Sequence, residues 1–196
     1  MGINCIFAGK ILFLTMIRTC CRILMIVLAA MWCACGRMRA EKNSRFLVVD
    51  KTAFHISVYE PVGSDTVLVA RFPVCVGKNP GNKQRRGDHR TPESTLSQPF
   101  TISQIQNAAT WTHDFGDGRG AIKAYGKYFL RLDTGGWRGI GIHGSTNNEA
   151  SVPGRGSEGC VRLLDNDIIE LAEKYAFKGM KVIIKPEGAP AYSFEK

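Results

Sequence analysis

Two side chains have the types and setting for nucleophilic chemistry. Cys160 lies in Ser157-Glu158-Gly159-Cys160-Val161-Arg162, and His143 precedes Gly144 at the end of the short apolar run Ile140-Gly141-Ile142. A free thiol is mostly protonated near neutrality, and an imidazole that takes its proton turns it into a nucleophile. A glycine-flanked turn keeps bulk away from Cys160. Backbone N–H groups in such a turn can also point at a developing oxyanion. Separation in sequence is no obstacle if a strand end and a turn meet in space. Other readings stay open on the residues alone. A zinc site needs three or four ligands, and this segment supplies two. A disulfide from Cys160 to Cys75, the other cysteine of the chain body, would suit an oxidising compartment. Otherwise Cys75 acts as a small buried hydrophobe.

Strands supply most of the framework that must position this pair. Period-two patterns predict strands over Phe46–Asp50 and Phe54–Tyr59, joined by a hairpin turn at Lys51-Thr52-Ala53. Thr66–Gly77 reads as one continuous strand, and Pro99–Ser103, Lys127–Leu132, Ile140–His143 and Met180–Lys185 as further ones. Trp111–Gly120 reads as a long irregular segment. Its Asp114, Asp117 and Gly118 lack the glutamate of a calcium loop. His55, His89 and His113 read as ordinary edge or loop histidines. After the cysteine the period becomes helical: Ile168, Leu171, Ala172 and Tyr175 share one face. Asp167 and Glu170 have capping-box spacing, and Gly179 suits the helix end. The fold class is therefore mainly β, with one helix after the cysteine, in a single domain over 45–186 and an irregular tail over 187–196.

Charge and the amino terminus bear on where such a domain works. The 196 residues carry 26 Lys and Arg against 17 Asp and Glu, a net charge of +9. That balance favours an anionic partner: nucleic acid, anionic lipid or an acidic wall polymer. No nucleic-acid module signature is present. Lys78–Gly87 is a basic loop, either a solvated turn or a surface facing an acidic substrate. Residues 1–40 read as a targeting segment. Lys10, Arg18 and Arg22 precede the apolar Ile23–Ala30, and no acid occurs before Glu41. Arg18 and Arg22 hold the apolar run below the roughly 20 residues of a membrane span. Cys33-Ala34-Cys35-Gly36 resembles a lipoprotein cleavage box, with Cys35 lipidated and Trp32 where a Leu-like residue is usual. The expected location is the periplasm or cell envelope, with a lipid anchor at Cys35.

His143-Gly144 followed by Ser157-Glu158-Gly159-Cys160-Val161-Arg162 resembles the H-G … S-x-G-C-[IV]-R signature of L,D-transpeptidase catalytic domains of the YkuD type. Phe46–Gly77 resembles the family's opening strands. Thr91-Pro92-Glu93 resembles its T-P-x-G-x-F segment, with Ser94 for the Gly and Leu96 for the Phe. The resemblance covers roughly Arg45 to Pro186 and implies a β-sandwich whose cysteine faces a cleft. It implies Cys160 as nucleophile, His143 as base, the Gly144 carbonyl as holder of the imidazole, and Gly159 and Cys160 as oxyanion donors. Arg162 and Ser157 would contact substrate, and Glu158, where many members have His, would point away from the thiol. The implied partner is a peptidoglycan stem peptide, cleaved between its diamino acid and D-Ala. The thioester would pass to an amine, giving a cross-link or protein attachment. The alternatives are a carboxypeptidase that uses water and a non-catalytic wall-binding module. No cofactor or metal is implied, and carbapenem-type inhibitors would acylate the cysteine.

Overall fold

The computed structural model describes residues 44–196; the expected targeting segment and Cys35 lie outside the described residues. Strand β1 (Phe46–Asp50) and strand β2 (His55–Val62) pair antiparallel, with Leu47 opposite Val58. Alternation sends Leu47 and Val49 into the main core. Val48 goes to the opposite face, beside Tyr59 and Ile183. The connection at Lys51–Phe54 hides a cation. Lys51 is 1% exposed, and its ammonium binds Glu93 Oε1 at 2.5 Å, the Gly81 carbonyl at 3.0 Å and the Thr91 carbonyl at 3.4 Å. A buried ammonium is tolerated only when paired in this way. Here the pairing fastens the 81–93 loop to the sheet.

The single strand expected over Thr66–Gly77 is two strands. Strand β3 (Asp65–Pro73) pairs with β2, and β4 (Cys75–Gly77) lies far across the sheet. Pro73 has no N–H with which to continue a ladder. The next N–H, that of Val74, donates to the Phe54 carbonyl at 2.9 Å. The remaining strands of the large sheet are β5 (Phe100–Asn107), β8 (Tyr128–Asp133), β9 (Gly141–His143), β10 (Gly154–Ser157), β11 (Val161–Arg162) and β12 (Lys181–Ile184). Their spatial order is β10-β4-β11-β9-β8-β5-β12-β1-β2-β3. Strand β3 is thus one edge and β4 is next to the other, yet only Val74 separates them in the chain. The sheet must curl until its two ends meet, which makes it a sandwich around one core. Phe72, Val74 and Val76 from that corner pack in the same cluster as Leu47, Leu130 and Ile142.

The segment Trp111–Gly120, expected to be irregular, carries a small hairpin of its own. Strands β6 (Thr112–Asp114) and β7 (Ala121–Lys123) pair His113 with Ile122. The expected helix is α1 (Asp165–Glu170), continued by a π-type turn at Leu171–Tyr175. It buries Ile168 and Leu171, with Ala172 and Tyr175 against the core, as the periodicity predicts. The capping box is absent: Leu164 is the N-cap and no side chain caps the helix. The helix also ends before Gly179, which instead makes the turn into β12 with φ +90°.

Ser94, at the position where the resembled motif has glycine, carries a hydroxyl with two partners. It donates to the Val182 carbonyl at 3.2 Å and accepts from the Ile184 N–H at 2.9 Å, so it ties this segment to β12. The tail expected to be irregular holds a 3-10 turn at Ser193–Glu195. Phe194 packs edge-on to Phe46 and Tyr59, and Glu195 meets the buried Lys185 at 2.9 Å. Burial works against the Lys185 charge, but Glu195 and Asp50 outweigh it, and the net shift of its pKa is upward. Replacing Phe194→Ala should therefore lower stability by about 1–3 kcal/mol. The check is a lower urea midpoint at unchanged slope, with the fold intact by circular dichroism.

Candidate active site

Strand register brings the predicted pair together. Strands β9 and β11 run parallel, with Val161 opposite Ile142 and Arg162 opposite His143. With a side-chain period of two, Cys160, Arg162 and His143 fall on one face. Strand β8 continues that face with Phe129 opposite His143 and Arg131 opposite Gly141. All five line one cleft of about 570 Å³.

The imidazole is fixed by what surrounds it. His143 is 4% exposed, and its Nδ1 lies 2.7 Å from the Gly144 carbonyl. A carbonyl only accepts, so Nδ1 carries the hydrogen and a neutral ring leaves Nε2 bare as the base. The Phe129 ring stacks on the imidazole at 5.4 Å and 11°. Gly141 makes room for this, since a Cβ there would come within 2.3 Å of that phenyl ring. Tyr125 packs against both rings, 4.8 Å from the imidazole and 5.8 Å from Phe129.

The carbonyl that holds His143 is itself held. The Gly144 N–H donates to the Tyr125 carbonyl at 2.7 Å. Gly144 and Gly126 cross so closely that a Cβ on Gly144 would meet Gly126 Cα at 2.7 Å and Asp165 Oδ1 at 2.3 Å. The Asp165 carboxylate accepts from the Ser145 N–H at 2.8 Å and the Thr146 hydroxyl at 2.5 Å. Asp165, the first residue of α1, therefore fastens the loop after the base. Its role has no local signal in sequence, because its partners lie about 20 residues upstream.

The nucleophile's turn is stapled from within. The Ser157 hydroxyl donates to the Cys160 carbonyl at 2.5 Å and accepts from the Gly159 N–H at 3.1 Å. Ser157 is 1% exposed, so the hydroxyl expected on substrate is engaged inside the turn. The Gly159 N–H, expected at the oxyanion, is engaged by the same hydroxyl. Gly159 has φ +133°, and a Cβ would sit 2.9 Å from the Arg90 carbonyl; both demand glycine. Cys160 Sγ donates to the Gly139 carbonyl at 3.4 Å. Cys75 is fully buried, and both it and Cys160 are free thiols, which removes the disulfide reading. Among the described residues no cluster of three or more His, Cys, Asp or Glu is placed to hold a metal.

The cleft is cationic. Lys83, Arg86, Arg131, Arg138 and Arg162 line it. Lys83 is committed to Asp88 at 2.8 Å and lies over the Trp137 ring, so the basic loop is partly a clamp. Arg162 is 4% exposed, donates to the Gly156 carbonyl at 3.3 Å and lies over Phe115 at 5.1 Å. Two lining residues depart from expectation. Glu158 does not point away: it lines the cleft and pairs with His113 at 3.1 Å, and His113 belongs to β6 rather than to a loop. Its charge helps push the Cys160 thiol up.

The family model of the YkuD L,D-transpeptidase catalytic domain matches residues 44–184. The chain belongs to this family. Solved structures agree on the fold. Bd1075 of Bdellovibrio bacteriovorus aligns at a TM-score of 0.55 and 18% identity, over 78% of this chain and 51% of that one. An L,D-transpeptidase from Mycobacterium smegmatis aligns at 0.52 and 17%, over 72% and 58%. The helical cell shape determining protein Pgp2 of Campylobacter jejuni aligns at 0.52 and 18%, over 78% and 51%. The chain thus spans between half and three-fifths of these structures. No curated protein matches it.

The YkuD site rests as a neutral pair. Burial pushes the His143 pKa down to about 3, against a partial lift from the Gly144 carbonyl. Burial also pushes the Cys160 thiol above its ordinary range, with Glu158 adding to the rise and Gly141, Arg162 and Arg131 opposing it. The folded state resists protonating His143, whereas the unfolded chain protonates it near 6.5. Stability from the neutral ring is thus complete above about pH 6.5 and is lost as pH falls toward 3. Iodoacetamide alkylation of Cys160 should keep rising beyond pH 9 with no inflection near 6.5; a plateau at pH 7 would reveal a preformed thiolate. Substituting Gly144→Ala should displace the carbonyl and cut acylation of Cys160 roughly a hundredfold, read by mass spectrometry against the melting curve.

Proposed function

We propose that the protein is an exported L,D-transpeptidase acting on peptidoglycan tetrapeptide stems. The observation that carries this reading is the bond from His143 Nδ1–H to the Gly144 carbonyl, which leaves Nε2 bare in the cleft that Cys160 also lines. When a stem fills the cleft, His143 takes the thiol proton and Cys160 Sγ attacks the carbonyl of the diamino acid's L-centre. With the Gly159 N–H engaged by Ser157, the Cys160 N–H is the proposed oxyanion donor. Collapse breaks the bond to D-Ala, whose nitrogen leaves with the proton from His143. The thioester then passes to an amine of a second stem or of a protein. Water as acceptor would make the same site a carboxypeptidase.

Stem peptides carry carboxylates, which suits a cleft lined by Arg131, Arg138 and Arg162. Arginine's planar fork favours such partners. The substrate lies outside the cytoplasm, so the proposal includes export by the 1–40 segment, a lipid anchor at Cys35, inhibition by carbapenems and a consequence for cell shape. The decisive assay incubates the mature protein with disaccharide-tetrapeptide. Release of D-Ala with a cross-linked dimer is expected. Tripeptide and D-Ala without dimer would make it a carboxypeptidase, and no D-Ala would make it a binding module. Cys160→Ala should abolish both D-Ala release and the carbapenem mass adduct.

A further inference from the structure

The cleft holds one carboxylate among its cations. Of the described residues that line it, Arg86, Arg131, Arg138, Arg162 and Lys83 are cationic, and Glu158 alone is acidic. Glu158 is two residues from the nucleophile. One of its oxygens, Oε2, is fixed at 3.1 Å by His113 Nε2, and its side chain remains 47% exposed. His113 is held in turn. It sits on β6 with its ring edge-on to Phe115 at 4.5 Å and near Tyr125, which also packs against His143. A carboxylate here works against the thiol, since its charge raises the Cys160 pKa. It also gives no help to an acidic donor stem. It does suit the second substrate. An acyl-acceptor amine arrives as an ammonium, is attracted by a carboxylate and must shed a proton before it can attack.

We propose that Glu158, positioned by His113, is the acceptor-amine site of this enzyme. This rests on the transpeptidase reading and deepens it. The acceptor ammonium binds Glu158 and gives one proton to the Glu158–His113 pair, which passes it to solvent. The freed nitrogen attacks the thioester carbonyl. The new C–N bond forms, the C–S bond breaks, and His143 carries the amine's second proton to the Cys160 sulfur. One thioester and one ammonium thereby yield one amide, one thiol and one released proton.

The test loads the mature protein with disaccharide-tetrapeptide and offers meso-diaminopimelate or hydroxylamine, which is largely uncharged at neutral pH. D-Ala release, adduct with each amine and hydrolysed tripeptide are quantified. In E158Q the ratio of diaminopimelate adduct to tripeptide should fall at least tenfold, and the acceptor KM should rise. The hydroxylamine ratio should change less than threefold. H113Q should show the same pattern more weakly, and E158D should restore part of it. An unchanged diaminopimelate ratio in E158Q and H113Q overturns the proposal. So does equal loss with both amines, which would place Glu158 on the thiol. Wild-type protein that releases D-Ala without any amine adduct also overturns it while leaving Cys160 as nucleophile. Absence of D-Ala release in wild type overturns the catalytic reading instead.

Discussion

Everything at the site depends on one hydrogen bond, from the His143 ring to the carbonyl of the next residue. In many nucleophilic sites a carboxylate orients the imidazole and stabilises its charged form. Here a neutral peptide carbonyl orients it, and burial makes the charged form costly. The ring is therefore a base that stays unprotonated until chemistry requires it, beside a thiol that stays protonated for the same reason.

A carbonyl can do this only if its peptide cannot rotate. Three features prevent that: the crossing of Gly144 over Gly126, the Gly144 N–H bond to Tyr125, and the Asp165 clamp on Ser145 and Thr146. Helix α1 thereby reaches the site without lining it, since its first residue grips the loop that follows the base. Phe129 adds a flat wall, and Gly141 is what lets that wall lie against the imidazole.

The parts that sequence revealed were those with local patterns. Alternation at Leu47, Val48 and Val49 marked a strand, the spacing of Ile168 and Leu171 marked the helix, and the residues around His143 and Cys160 marked the family. What it hid was set by contacts across the fold. The break at Val74 leaves one local mark, Pro73, and apolar residues continue on both sides of it while the strand changes sheet edge. Asp165 resembled any acid before a helix, and the β6–β7 hairpin was masked by its glycine-rich tip. Glu158 was misjudged because its partner His113 lies 45 residues away.

The junction at Val74 has a consequence for how the chain acquires its reactivity. Strand β4 fits between β10 and β11, which come from much later in the sequence, while β1 pairs with β12 near the other end. Such topologies delay their rewards, because long loops must close before any pairing stabilises them. The sheet edge beside Cys160 is therefore completed only when β4, from early in the described chain, has joined β10 and β11. Until then the turn that carries Cys160 lacks its neighbours, so a partly folded chain presents no finished site.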